Sequence, residues 1–159
     1  MLVAKILLQE NPGLTWKVIG YGPQEEEVKE FIIKENLSQQ LFLQHAAAID
    51  ITTEYQQASL FVMTSRNECF PLVLLEAMSN GLPCIAFDCD TGPRHIIQHN
   101  KTGLLIEKEN VGEMAKAISA LIKDNARRKS MSDNAFTAVE QFYPDKVYEE
   151  WKKLFEQNN

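Results

Sequence analysis

Positive charge is what this chain has least to spare. Lys and Arg number 16 against 22 Asp and Glu, for a net charge of -6. Binding a phosphate backbone takes clustered cations. The one tight cluster, Arg127-Arg128-Lys129, suits a solvated helix face, so nucleic acid is excluded as the main partner. Cysteine is scarce as well. Cys69, Cys84 and Cys89 make an odd number without the spacing of a zinc site. Cys84 falls in an apolar run and belongs in the core. No His, Cys, Asp and Glu pattern resembles a metal site, so none is expected. No Ser–His–acid trio has positional support. Long apolar runs are missing, which excludes a membrane span. Met1-Leu2-Val3-Ala4 lacks the charged start and apolar stretch of a secretory signal. The sequons at Asn36 and Asn100 are therefore chance matches, and a reducing, cytoplasmic setting is expected. There is no internal repeat, low-complexity tract or linker.

What is present is an alternation of two periodicities. The 159 residues, 45% hydrophobic and 24% charged, suit one domain over 1–159 with a real core. Residues 1–10 carry Leu2, Ile6 and Leu7 on one face of a short helix, so the chain opens inside an element with no strand before it. That suggests a piece of a longer protein. Residues 15–19 form a strand, 20–23 a tight Gly-Tyr-Gly-Pro loop, and 24–35 a helix with Val28, Phe31 and Ile32 inward. Short strands follow at 41–43, 60–64, 84–87 and 103–106, with helices at 50–57, from Phe70, and from Pro93. Helices at 111–123, 126–141 and 144–158 close the chain, the last with an apolar face of Val147, Trp151, Leu154 and Phe155. Alternation at this spacing predicts right-handed βαβ units and an α/β fold, a doubly wound parallel sheet of five or six strands.

In such a sheet, ligands bind outside the carboxyl ends of the strands. Loops 20–23, 44–47, 65–71 and 88–94 should gather there. Gly20 and Gly22 permit positive φ and close approach by a ligand, yet the loop is not the dinucleotide fingerprint and also fits a plain tight turn. Phe70-Pro71-Leu72 opens a helix with Pro71 in its first turn, and Gly81 and Pro83 end it. The helix start offers unpaired N–H groups and a positive dipole end, suited to a diphosphate. Glu68 lies before that start. Glu76 lies inside the helix, roughly 7–8 Å along its axis. A carboxylate there could accept two ribose hydroxyls, and Glu68 those of a sugar beyond the phosphates. Both could equally be solvated charges. Against that, Glu76 sits in an apolar run, where a carboxylate needs a partner. Arg94 offers positive charge to the same edge or a surface salt bridge. His45 flanks a base or is a plain loop imidazole.

These residues closely resemble the carboxyl-terminal domain of retaining, nucleotide-sugar-dependent glycosyltransferases of the GT-B fold, family 4, or glycosyl transferases group 1. The resemblance rests on Gly20-Tyr21-Gly22-Pro23, Tyr55-Gln56-Gln57-Ala58, Ser65-Arg66-Asn67-Glu68 and Glu68-Cys69-Phe70-Pro71. It continues through Glu76-Ala77-Met78-Ser79-Asn80-Gly81-Leu82-Pro83, Gly92-Pro93-Arg94-His95 and Thr102-Gly103-Leu104-Leu105. It implies a Rossmann-like donor domain that moves a sugar, with retention, from a nucleoside diphosphate sugar, taken as UDP-linked, to a carbohydrate or lipid-linked acceptor. Glu68 would contact the transferred sugar as the catalytic carboxylate. Backbone around Phe70, Pro71 and Leu72 would hold sugar and diphosphate, Glu76 would bind ribose, and Gly22 and the loop near His45 would lie by the nucleotide. Gly20, Cys69 and Arg94 complete the expected donor-binding set.

No cofactor and no metal are implied, because helix dipole and cationic side chains replace the metal. The sequence departs from the family where Cys69 takes the place of a glycine, and at the family's glycine in the Gln44-His45 region. The family's diphosphate-clamping Arg and Lys, its first strand and its acceptor-binding amino-terminal domain would all lie before this chain. The isolated chain is thus expected to bind nucleotide weakly and transfer nothing. A non-catalytic or split-enzyme binding module is the alternative. The full-length protein would act in bacterial polysaccharide assembly, in the cytoplasm or peripherally at the inner membrane face. With the other domain absent, Trp151, Leu154 and Phe155 should fold onto this domain or cover a neighbouring chain as a homo-oligomer.

Overall fold

The computed structural model describes residues 1–157. Its elements run α1 (Leu2–Glu10), β1 (Trp16–Ile19), α2 (Glu25–Lys34), β2 (Leu41–Gln44), α3 (Ile51–Gln57) and β3 (Phe61–Met63). Then come α4 (Leu72–Ser79), β4 (Cys84–Asp88), α5 (Pro93–Ile96), β5 (Gly103–Glu107), α6 (Val111–Lys123), α7 (Asn125–Ala138) and α8 (Pro144–Gln157). Short 3-10 turns occupy Ala46–Ala48 and Val139–Phe142. The last helix was expected to reach residue 158, which lies outside the described residues.

Every strand pairing is parallel, as strand–helix alternation requires. The strands do not form one sheet, however. β1 pairs with β2, and β3-β4-β5 form a separate three-stranded sheet. β4 is the best-buried strand because both of its faces are covered. Cys84 and Ala86 join the core cluster under α4 and α7, while Ile85 and Phe87 join the one under α1 and α6. That two-sided burial explains its unbroken apolar run.

Helix α1 bridges the two sheets. Val3 and Leu7 pack in the cluster of Ile85 and Leu104, and Ala4 and Leu8 in the cluster of Ile32, Leu37 and Leu41. Its buried residues are therefore 3, 4, 7 and 8, and the expected face of Leu2, Ile6 and Leu7 is corrected. Leu2 is exposed and Ile6 only partly buried. A helix that covers two surfaces buries a wider stripe than one that covers a single surface. On α2, likewise, Ile32 is buried while Val28 and Phe31 are partly covered.

The carboxyl-terminal helix contributes no residue to the core. No residue of α8 is buried, and Val147, Trp151, Leu154 and Phe155 are all exposed. Among the described residues, no helix is long and apolar enough to cross a membrane.

Candidate functional site

Helix α4 begins two residues later than the Phe70 start expected. Pro71 occupies the N-cap in extended geometry, with ψ 99°, instead of the first turn. A residue preceding proline is pushed out of helical conformation, which keeps Phe70 in the loop. Proline has no side-chain oxygen to cap with, and no side chain caps α4. Asp50 caps α3 at Thr52 N (3.1 Å), Asn110 caps α6 at Glu113 N (3.1 Å), and Asp124 caps α7 at Arg127 N (2.9 Å), while α1, α2 and α5 lack a side-chain cap as α4 does. Leu74 N–H turns back to Pro71 O at 3.0 Å. The N–H groups of Leu72 and Val73 are left at the open end of the helix, where its dipole is positive.

The face that α4 turns outward is unusual for an exposed surface. Leu72 is 62% and Val73 40% exposed, and Glu76, one turn on, is exposed beside them. The buried face is Leu74, Ala77 and Met78. The apolar run around Glu76 thus does not enclose it, as its composition suggested, but leaves apolar surface open at its side. Glu76 still has the partner that an apolar setting demands. Tyr55 Oη on α3 donates to Glu76 Oε2 at 3.1 Å. Burial, and then the bond to Glu76, push the Tyr55 phenol well above its ordinary pKa.

Glu68 lies half-buried in the loop between β3 and α4. Two neighbouring segments, the β4–α5 loop and the β5–α6 loop, hold that loop. Thr91 Oγ1 donates to the Glu68 carbonyl, Cys89 Sγ to the Ser65 carbonyl at 3.1 Å, and Lys108 Nζ to Asn67 Oδ1 at 3.2 Å. Arg66 pairs with Glu109 at 2.7 Å. Gly92, with φ 81°, fits beneath the loop. Cys69 is exposed at the loop tip, and Phe70 packs edge-to-face on Phe142 at 5.7 Å.

The other residues expected at this edge differ in how they sit. Gly20 and Gly22 do not have positive φ; among glycines that conformation belongs to Gly81 and Gly92. A side chain at Gly20 or Gly22 would meet nothing within 4 Å, so room for a ligand, not backbone conformation, is what those positions offer. His45 stacks on Tyr21, centroids 4.7 Å apart and planes 12° from parallel, and its Nδ1 accepts from Ala47 N at 3.3 Å. Arg94 pairs with Asp88 at 3.0 Å, the surface salt bridge that was one of its two readings. No group of three or more His, Cys, Asp and Glu among the described residues could hold a metal ion. Sequence reasoning asked for a partner to Glu76 but did not name Tyr55. The available signal was a lone aromatic in the polar helix Ile-Thr-Thr-Glu-Tyr-Gln-Gln.

Comparison with known proteins brings these features together. The sequence pattern of the family described as glycosyl transferases group 1 matches residues 1–138. A protein of Haemophilus influenzae named an uncharacterized glycosyltransferase is 32% identical over 157 residues, covering 96% of this chain and 43% of its own length. The crystal structure of TarM from S. aureus, with Fondaparinux, alpha-GlcNAc-glycerol and UDP, superposes with a TM-score of 0.88 at 27% identity, over 96% of this chain and 31% of TarM. The C-terminal domain of a glycosyl transferase group 1 family protein from Francisella tularensis superposes with a TM-score of 0.78 at 26% identity. That match covers 88% of this chain and 75% of that one. This chain therefore spans less than half the length of the first two proteins and most of the isolated C-terminal domain.

Proposed function

The chain belongs to the glycosyl transferases group 1 family, and from that premise we propose that it is the donor-binding domain of an enzyme that moves a hexosyl group from a UDP-sugar, with retention, to a carbohydrate or lipid-linked acceptor. Its fold is that of the carboxyl-terminal domain of GT-B glycosyltransferases. The observation that carries the proposal is the uncapped start of α4 between two carboxylates, Glu68 before it and Glu76 one turn in. In this proposal the diphosphate sits on the Leu72 and Val73 N–H groups, Glu76 accepts the ribose hydroxyls, and Glu68 accepts those of the sugar. Gly20, Gly22 and His45 border the nucleotide, while Cys69, Phe70 and Pro71 shape the sugar side. Catalysis is mainly electrostatic, the helix end stabilising charge as it develops on the leaving diphosphate. Helix dipole and cationic side chains carry that role in place of a metal. TarM, solved with UDP, supports the choice of base.

Magnitudes separate binding from turnover. A helix N-terminus contributes about 0.3–2 kcal/mol to holding an anion, whereas micromolar affinity takes about 8 kcal/mol. Arg94 is already engaged with Asp88. The isolated chain is therefore proposed to bind UDP weakly and to have no transferase activity, which awaits the clamping cations and acceptor surface of a second domain. The full-length enzyme is proposed to work in polysaccharide assembly, on the cytoplasmic side and at the membrane periphery.

Titration with uridine, guanosine and adenosine diphosphates tests the reading. UDP is expected to bind best, and Glu76→Ala to weaken it about tenfold, the loss of hydrogen bonds to a charged acceptor. No nucleotide binding, or binding indifferent to Glu76→Ala, would leave only a structural α/β module.

A further inference from the structure

Of the four tyrosines, Tyr55 alone is buried. Its ring is fixed by three elements. It stands on α3, whose start Asp50 caps, and packs edge-to-face on Phe61 of β3 with centroids 6.0 Å apart. It also shares a core cluster with Leu74, Ala77 and Met78 of α4. From that socket its hydroxyl reaches out to Glu76 Oε2 at 3.1 Å. No other hydrogen bond to the Glu76 carboxylate is present among the described residues. A glutamate on an exposed helix face has several rotamers open to it, and holding it in one costs about 1–2 kcal/mol of side-chain entropy. Tyr55 meets that cost before any ligand arrives.

We infer that Tyr55 is a positioning residue, which locks the Glu76 carboxylate so that Oε1 and the outward lone pair of Oε2 face a vicinal diol. The inference rests on the proposed role of Glu76 toward ribose and deepens it. A carboxylate has about four acceptor sites. The phenol fills one and leaves a matched pair for two adjacent hydroxyls. The phenol carries its proton at neutral pH and spends it on Glu76 Oε2. The arrangement selects ribonucleotides over nucleotides that lack the diol.

The bland alternative is a core tyrosine whose hydroxyl took the nearest acceptor. Calorimetric titration of the chain with UDP and with 2′,3′-dideoxy-UDP separates the two. Tyr55→Phe is expected to weaken UDP about two- to tenfold, the range for one lost hydrogen bond, and to leave dideoxy-UDP binding unchanged. Glu76→Gln should narrow the preference for UDP, and adding Tyr55→Phe to it should cost nothing further. Equal weakening of both ligands by Tyr55→Phe would mean a structural role and overturn the inference. So would no weakening of either while Glu76→Gln still narrows the preference, and in that case the ribose role of Glu76 stands. If Glu76→Gln leaves the preference intact, the ribose role itself falls and the inference with it. The unchanged dideoxy-UDP affinity doubles as the check that the variant is folded.

Discussion

Gly92 lies directly beneath Cys69: a Cβ on Gly92 would stand 3.1 Å from the Cys69 carbonyl oxygen and 3.0 Å from Pro71 Cδ. With φ at 81°, this glycine meets two demands at once, a left-handed backbone and the close approach of the β4–α5 loop to the β3–α4 loop. Thr91, its neighbour, donates to the Glu68 carbonyl. The two loops are thus one mechanical unit, and Glu68 is positioned from below.

Gly92→Ala should therefore act twice. Forcing alanine into this conformation costs roughly 1–3 kcal/mol, and the backbone oxygen above it has little room to yield. A urea melt should show the lost stability. Nucleotide titration of the folded variant should show weakened affinity, because the shifted loop carries Cys69, Phe70 and Pro71. Lost stability with intact affinity would uncouple the two loops.

The three thiols give a second handle. Cys69 is exposed, while Cys84 and Cys89 are buried. Burial raises the pKa of both buried thiols, and Cys89 Sγ is also bonded to the Ser65 carbonyl. Since the thiolate is the reactive species, iodoacetamide should modify Cys69 first, by a wide margin in peptide mass spectrometry. If the β3–α4 loop borders the donor, saturating UDP-glucose should slow that reaction several-fold. Cys89 reacting as fast as Cys69 would contradict the loop packing; an unprotected Cys69 would move the donor elsewhere.

How much of this was legible depended on whether a feature is local. The βαβ order, the parallel pairing and the buried Cys84 follow from patterns within a few residues, and the structure has them. The face of α1 was misread because a period reports one buried stripe and cannot reveal that two surfaces flank the helix. The division into two sheets was hidden for a related reason. Trp16 and Val62 look like strand residues and pack against the same cluster, yet nothing in their sequence says that β1 and β3 do not pair. At the site, the helix, its two carboxylates and the neighbouring loops could be read from spacing. Tyr55, 21 positions before Glu76, could not, since a hydrogen bond between α3 and α4 exists only once the core has brought them together.

The open face of α8 gives the last prediction. Trp151 and Phe155 stack along it with centroids 5.9 Å apart, and Val147 is exposed one turn before Trp151. Apolar positions repeating at this spacing make a stripe suited to burial. Such a stripe left in water favours association, since removing apolar area yields about 25 cal/mol per Å2. The chain is therefore expected to self-associate through α8 as its concentration rises, with light scattering giving a mass above that of one chain. Trp151→Glu should restore the monomer with an unchanged far-ultraviolet dichroism spectrum, because no residue of α8 is buried in the domain. A wild-type chain that stays monomeric at every concentration would refute the expectation and leave the stripe to a different surface. A Trp151→Glu chain that still associates would place the contact elsewhere, with the exposed Leu72 and Val73 beside Glu76 the next surface to mutate.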